Sequence, residues 1–223
     1  EARRLAGTSN HYSQAEGRQD LKEALARKLK RENNVYALPE NIIVTSGSTD
    51  ALLLAMAACL DIGDELILPT PTFMAYEPMA DMLGIATTPV ALKKENSFAP
   101  AADDVEKAIT KKTKALLINT PGNPTGAVMS KKDLEALADV AVEYDLFLFS
   151  DEAYEKIVYG KKHVSAASLE GMSEYVLTFQ SFSKTYAMCG FRVGYCAAPP
   201  DIAKAMAETH IYSSLCAPTI SQM

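Results

Sequence analysis

Seven short apolar runs recur along the chain, at 41–45, 65–68, 85–92, 114–119, 146–149, 175–180 and 193–198. Most are separated by stretches with helical periodicity. Leu21, Leu25 and Leu29 share one face over 18–32, and an apolar stretch fills 51–60. Further helices are expected up to Leu83, over 103–109, after Ser130 and from Asp201. Ser130 with Asp133 three residues on reads as a helix cap, followed by an inner face of Leu134, Leu137, Ala138, Ala141 and Val142. Pro69 and Pro71 are expected to stop the run at 65–68. Strands alternating with helices bury their apolar faces as a doubly wound α/β layer, and this excludes most other folds.

The side chains with chemical potential fall just after strand ends, where open α/β sheets take ligands. Lys184 follows the run at 175–180, within Ser181-Phe182-Ser183-Lys184, and Arg192 lies eight residues on. A lysine at the mouth of an apolar sheet is costly to desolvate, so it is expected to be paired or covalently engaged. Schiff-base chemistry suits such an amine, with the serines and the arginine holding an anion nearby. Asp151 ends the run at 146–149 and, if isolated there, drifts towards its neutral form. Asn123 sits in a stiff turn, Thr120-Pro121-Gly122-Asn123-Pro124-Thr125-Gly126. Gly47, Ser48 and Thr49 lie between a strand and a helix, a geometry that offers backbone N–H groups to an anion. Each position has a plain alternative: a helix cap for 46–50 and for Asp151, a rigid loop for Asn123, a core aromatic for Phe73.

Charge and composition narrow the function. The net charge is −6, with no basic patch to favour nucleic acid. The apolar run at 51–60 is far short of a membrane span, and the start Glu1-Ala2-Arg3-Arg4 lacks the apolar core of a signal peptide. Cys59, Cys189, Cys196 and Cys216 form no C-x-x-C pair, which points to free thiols in a reducing, cytoplasmic compartment. His11, His163 and His210 are too scattered for metal-ligand spacing, so no metal is expected.

An amine, a carboxylate, an amide, a phenol, a hydroxyl-rich helix start with an arginine, and an aromatic together match the needs of pyridoxal 5'-phosphate. Its aldehyde needs a lysine. Its ring nitrogen needs an anion to stay protonated, and its phosphate needs a helix N-terminus and an arginine. Its ring face needs a flat apolar cover.

On these residues the chain resembles the class I/II aminotransferases, the fold-type I pyridoxal-phosphate enzymes. The resemblance rests on Tyr12 with Gly17, Ser46-Gly47-Ser48-Thr49, Pro71-Thr72-Phe73, Asn119 through Gly126, Ser150-Asp151-Glu152-Ala153-Tyr154, and Ser181 through Lys184 with Arg192-Val193-Gly194. It implies a three-layer sandwich with a mostly parallel central sheet. The division expected is an arm at 1–17 and a cofactor-binding large domain at 18–223, truncated before a small domain that would carry the arginine for the substrate carboxylate.

The resemblance also implies roles. Lys184 carries the cofactor and moves the substrate proton, and Asp151 pairs with the pyridinium. Asn123 and Tyr154 donate to the phenolic oxygen. Ser181, Ser183 and Arg192, with the backbone around Gly47, Ser48 and Thr49, bind the cofactor's phosphate end. Phe73 stacks on the ring, where aspartate-specific members often have Trp. Tyr12 reaches the neighbouring subunit's phosphate, which implies a homodimer. The activity implied is transfer of an amino group between an L-amino acid and a 2-oxo acid. Two alternatives stand beside it: a pyridoxal-phosphate β-lyase cleaving carbon–sulfur bonds, and a non-catalytic binding or dimerisation module.

Overall fold

The computed structural model describes residues 11–223, so the part of the expected arm at 1–10 lies outside the described residues. In chain order the strands are β1 (Ile42–Thr45), β2 (Glu65–Thr70), β3 (Ala86–Ala91), β4 (Thr113–Asn119), β5 (Phe147–Asp151), β6 (Val176–Ser181) and β7 (Gly194–Ala197). The α-helices are α1 (Gln19–Lys28), α2 (Ser48–Cys59), α3 (Tyr76–Met82), α4 (Ala102–Glu106), α5 (Lys131–Glu143), α6 (Phe182–Thr185) and α7 (Pro200–Ser213). The strands form one sheet in the order β1-β7-β6-β5-β4-β2-β3. All neighbours from β3 to β6 are parallel, and β7 runs antiparallel to both β6 and β1. This is the mostly parallel α/β sheet expected from the alternation.

Successive strand residues point to opposite faces, and both faces are buried here. Ile43, Leu66, Leu117, Phe149, Leu177 and Cys196 pack on one side with Leu52 and Met56 of α2, Tyr76 of α3 and Met206 of α7. Ile67, Leu116, Ile118 and Leu148 pack on the other with Leu134, Leu137 and Ala141 of α5. At the β1 edge, Ile42, Val44 and Tyr195 are covered by Leu25 of α1 and by Leu29. Helices therefore flank the sheet on both sides, the three layers that the resemblance implies.

Three local expectations need correction. Pro69 does not stop β2, which continues to Thr70. Pairing to β4 ends at Ile67, while pairing to β3 goes on through Pro69 and Thr70. Past Ile67 the strand has an open side, where a missing N–H costs no ladder bond. Val142 is 46% exposed and does not belong to the inner face of α5; Val140 is buried instead. Eight residues past Leu134, Val142 has drifted beyond the stripe that meets the sheet. The helix expected over 18–32 changes character at Leu29, where the last turn, Leu29–Asn33, is a π-helix ending at left-handed Asn34. The expected cap at Ser130 is present: its hydroxyl accepts from Asp133 N at 3.2 Å, and Asp133 accepts from Ser130 N at 2.8 Å.

The described part of the arm is pinned at several points. Val44 N donates to Glu16 O at 2.9 Å, and the Gln222 carboxamide binds both Arg18 N and Ser13 Oγ. The tightest backbone approach lies elsewhere, where β7 meets the start of α2. A Cβ added at Gly194 would stand 2.4 Å from Ser48 N and 2.5 Å from Gly47 C. Neither backbone atom has room to move. Gly194→Ala should therefore lower the urea unfolding midpoint by the equivalent of about 1–3 kcal/mol, the usual cost of overpacking. An unchanged midpoint would show that the contact is not rigid.

Candidate active site

β7 is antiparallel to both β1 and β6, so the C-terminal ends of β1, β4, β5 and β6 open on one edge of the sheet. A cleft of about 180 Å³ lies there. Lys184, Asp151, Tyr154, Asn123, Ser181, Ser183, Arg192, Gly47, Ser48, Thr49 and Phe73 all line it. Tyr12 does not; it is 78% exposed on the arm. Four further lining residues were not singled out as site residues from the sequence: Tyr76, Asn119, Ala153 and Cys189.

Asp151 is the last residue of β5 and is buried. Its Oδ2 accepts from Tyr76 Oη at 2.6 Å and its Oδ1 accepts from Ala153 N at 3.0 Å. Burial pushes its pKa up, the two hydrogen bonds oppose that, and the neighbouring Glu152 charge adds to the rise. The net shift is upward. A buried carboxylate with two donors and no cation among the described residues is suited to a cationic ring nitrogen from outside the chain. Tyr76 is itself fully buried and rests edge-on against Phe73, with ring centroids 5.5 Å apart.

The stiff turn after β4 is held by one side chain. Asn119 Nδ2 donates to Asp151 O at 3.0 Å, and Asn119 Oδ1 accepts from Asn123 N at 2.6 Å. Adjacent strand ends are thereby locked together, with Asn123 at the cleft. Behind the cleft, Glu152 and Glu155 flank Asp151 and Tyr154 in sequence and point into a buried polar network. Glu152 accepts from Ser150 and Ser165 hydroxyls and from Ala166 N, and its other oxygen faces His163. Glu155 pairs with Lys28 and accepts from Asn33 and Gln180. Glu152, Glu155 and His163 are close enough to share an ion, but their oxygens are already engaged by these donors.

Of the two expectations for Lys184, paired or covalently engaged, an ion pair is not seen among the described residues. The lysine sits on the single-turn helix α6, exposed, with its ammonium 5.6 Å from the centre of the Tyr154 ring. Leaving β6 through this turn lifts the side chain out of the sheet and over the cleft, where the amine is accessible to a reactant.

The opposite wall is the start of α2. No side chain caps this helix, and its first position follows Gly47 at φ 95°. The hydroxyls at 46–49 are therefore not acting as helix caps, and the plain-cap alternative is set aside. Ser48 and Thr49 begin a helix whose first-turn N–H groups are open to an anion. Arg192, in left-handed conformation, donates to Ser46 O at 3.2 Å and to Cys189 O at 3.0 Å. A Cβ at Gly47 would stand 2.7 Å from its guanidinium. Ser181 is buried beside this wall, its hydroxyl accepting from Ser183 N at 3.2 Å. An anion pocket at one end, a carboxylate awaiting a cation at the other, and an accessible amine between them fit a phosphorylated, protonatable ring with an aldehyde. The donor set thus fits pyridoxal phosphate.

The model of the family described as aminotransferase class I and II matches residues 1–222. This chain belongs to that family. Among curated proteins it is 45% identical to the aspartate aminotransferase of Pyrococcus abyssi over 95% of this chain and 55% of that protein. It is 44% identical to the aromatic-amino-acid aminotransferase 2 of Thermococcus litoralis, with the same coverage. The aspartate/prephenate aminotransferase of Thermus thermophilus is 41% identical over 99% of this chain and 57% of its own length. The crystal structure of the aromatic aminotransferase from Pyrococcus horikoshii OT3 matches with TM-score 0.95 at 42% identity, over 99% of this chain and 60% of that one. The chain thus spans a little over half the length of the aminotransferases it matches.

Asp151 also generates a stability prediction. With its pKa raised in the fold, Asp151 favours the folded state when protonated and opposes it when ionised. That penalty grows as pH rises from the ordinary carboxylate range. Asp151→Asn should therefore raise the thermal midpoint of the cofactor-free protein at neutral pH, with the gain vanishing in acid. Asn can keep both contacts by accepting from Ala153 N and donating to Tyr76 Oη. Equal midpoints across the pH range would contradict a raised pKa.

Proposed function

We propose that this chain forms the cofactor-binding part of a pyridoxal-phosphate-dependent aminotransferase that moves an amino group between an L-amino acid and a 2-oxo acid. The observation that carries the reading is the cleft itself: a buried carboxylate without a cation, an exposed lysine and an uncapped helix start with an arginine, on one sheet edge. When bound, the cofactor supplies an electron sink for the carbanion formed at the substrate α-carbon.

The chain's own groups have separable tasks. Asp151, held by Tyr76 and Ala153, keeps a ring nitrogen protonated by offering it a poorly solvated negative charge. Asn123 and Tyr154 donate to an oxygen beside the reacting carbon. Ser48, Thr49, Ser181, Ser183 and Arg192 hold the phosphate and so fix the ring in the cleft. Phe73 covers one face of the ring. Lys184 Nζ would hold the cofactor through its aldehyde and, as a free amine, would take the substrate α-proton and return it elsewhere.

The relatives named for aspartate, aromatic and prephenate substrates make these the first amino donors and acceptors to try. The lyase and binding-module readings draw no support from those relatives. The four free thiols suit a cytoplasmic setting, and among the described residues no helix is long and apolar enough to cross a membrane.

The exposed, unattached Tyr12 ring is accounted for by a homodimer in which it reaches the neighbouring phosphate. Co-expressing Tyr12→Phe subunits with Lys184→Ala subunits tests this. If clefts are shared, a mixed dimer carries one cleft with lysine and tyrosine both intact and one with neither, so activity should differ from a simple average of the two parents. Averaged activity would rule out shared clefts.

Lys184→Ala should remove the imine absorbance of the isolated protein and lower turnover by at least about a thousandfold. An unchanged spectrum in that variant would overturn the assignment.

A further inference from the structure

His210 lies on α7, away from the cleft, and its side chain is fully buried. Its two ring nitrogens face two acceptors. Nδ1 is 2.9 Å from the carbonyl oxygen of Ala15, which can only accept. Nε2 is 3.4 Å from Oδ2 of Asp50 and has no hydrogen-bond partner of its own among the described residues. A neutral imidazole carries one N–H. If that proton is on Nδ1, the lone pair of Nε2 points at a carboxylate in a buried site; if it is on Nε2, a lone pair points at a carbonyl. Both are repulsive. Only the imidazolium, with a proton on each nitrogen, satisfies both sides.

Asp50 gives this pair a consequence at the cleft. It lies in the first turn of α2, next to Thr49, and its Oδ2 also accepts from Ser46 N at 2.8 Å. A carboxylate in a first turn suits the helix dipole, but it also places negative charge beside the pocket that must take an anion. Ala15 belongs to the arm that carries Tyr12 and continues through Glu16 O onto Val44 N of β1.

We propose that His210 is a positioning residue held as an imidazolium, which neutralises Asp50 beneath the anion pocket and ties the arm to α2, so that anion affinity depends on its proton. This rests on the cofactor reading above, because the anion concerned is the phosphate end of pyridoxal phosphate.

The electrostatics agree with the geometry. Burial pushes the His210 pKa down, but Asp50 and the Ala15 carbonyl outweigh it, and the net direction is up. A histidine whose pKa is raised in the fold contributes stability that is fully present below its ordinary value. That contribution is lost as pH rises through the folded value. The pair should therefore hold in mildly acidic solution and fail as pH rises through the raised value. Asp50 and the Ala15 carbonyl are the polar groups that meet the ring, from α2 and the arm respectively.

The test uses the full-length protein and begins with the wild type, so it survives a variant that does not fold. Nitrogen-detected NMR of the histidine side chains should show one ring protonated on both nitrogens at about pH 6, titrating above the ordinary imidazole value, and absent from His210→Gln. A His210 ring with a single proton at about pH 6 would overturn the proposal.

The second readout is pyridoxal-phosphate affinity, followed by absorbance. His210→Gln should weaken binding roughly tenfold at about pH 6, with the gap to wild type closing as pH rises. In an Asp50→Asn background the same change should cost little, because the charge to be neutralised is gone. An equal loss in both backgrounds, at every pH, would mean a purely structural role and would defeat the proposal. Failure of the wild type to bind pyridoxal phosphate at any pH is a different result, since it refutes the cofactor reading itself.

Discussion

A carboxylate buried at the end of a central strand, with hydroxyl and backbone N–H partners but no cation, shapes the chemistry of this fold. Asp151 could shed its charge by taking a proton, and burial pushes it that way. Tyr76 and Ala153 oppose the drift by binding the ionised form. The balance leaves a group that gains from a cation brought in from outside, a condition a fully paired carboxylate would not meet. Everything nearby serves to keep that carboxylate in place. Asn119 ties its backbone to the turn at Asn123, and Glu152 and Glu155 anchor the next residues in a buried network reaching Lys28 on α1. Buried polar networks of this kind cost stability when partly satisfied and fix one geometry when complete.

The second requirement is an anion pocket, and its parts come from distant positions in the chain. The start of α2 supplies N–H groups, and β7 runs beneath it with no room for a side chain at Gly194. Arg192 reaches over Gly47, where again a Cβ would not fit. Two glycines thus set the shape of the pocket by what they omit. At Gly194 the constraint is steric alone, while at Gly47 it adds to the conformational freedom that φ 95° demands.

Much of this was legible in the sequence. Apolar runs with period 2 or 3.6 placed all seven strands, because a sheet covered on both faces leaves a strong hydrophobic record. Eleven of the twelve candidate side chains line one cleft, because strand ends in a parallel sheet open on one edge. What escaped was contact across the fold. Nothing local marks Tyr76 as the partner of Asp151, since an aromatic on an apolar helix face reads as core, and it is core as well as partner. The exposure of Lys184 depends on the turn that α6 makes after β6. Pro69 inside β2 is allowed only because pairing to β4 has already ended, a matter of register that composition does not record.

The reversed direction of β7 carries a consequence for the order of assembly. β1 lies near the start of the chain, yet in the sheet its partner is β7, near the far end, and no other strand can hold it. The wall made by Ser48 and Thr49 acquires its arginine only when segments far apart in the chain have met. Pairings between such remote segments are slow to form, because their loop-closure entropy is lost before any contact rewards it. The anion pocket therefore depends on contacts of high sequence separation, the kind whose closure entropy is largest.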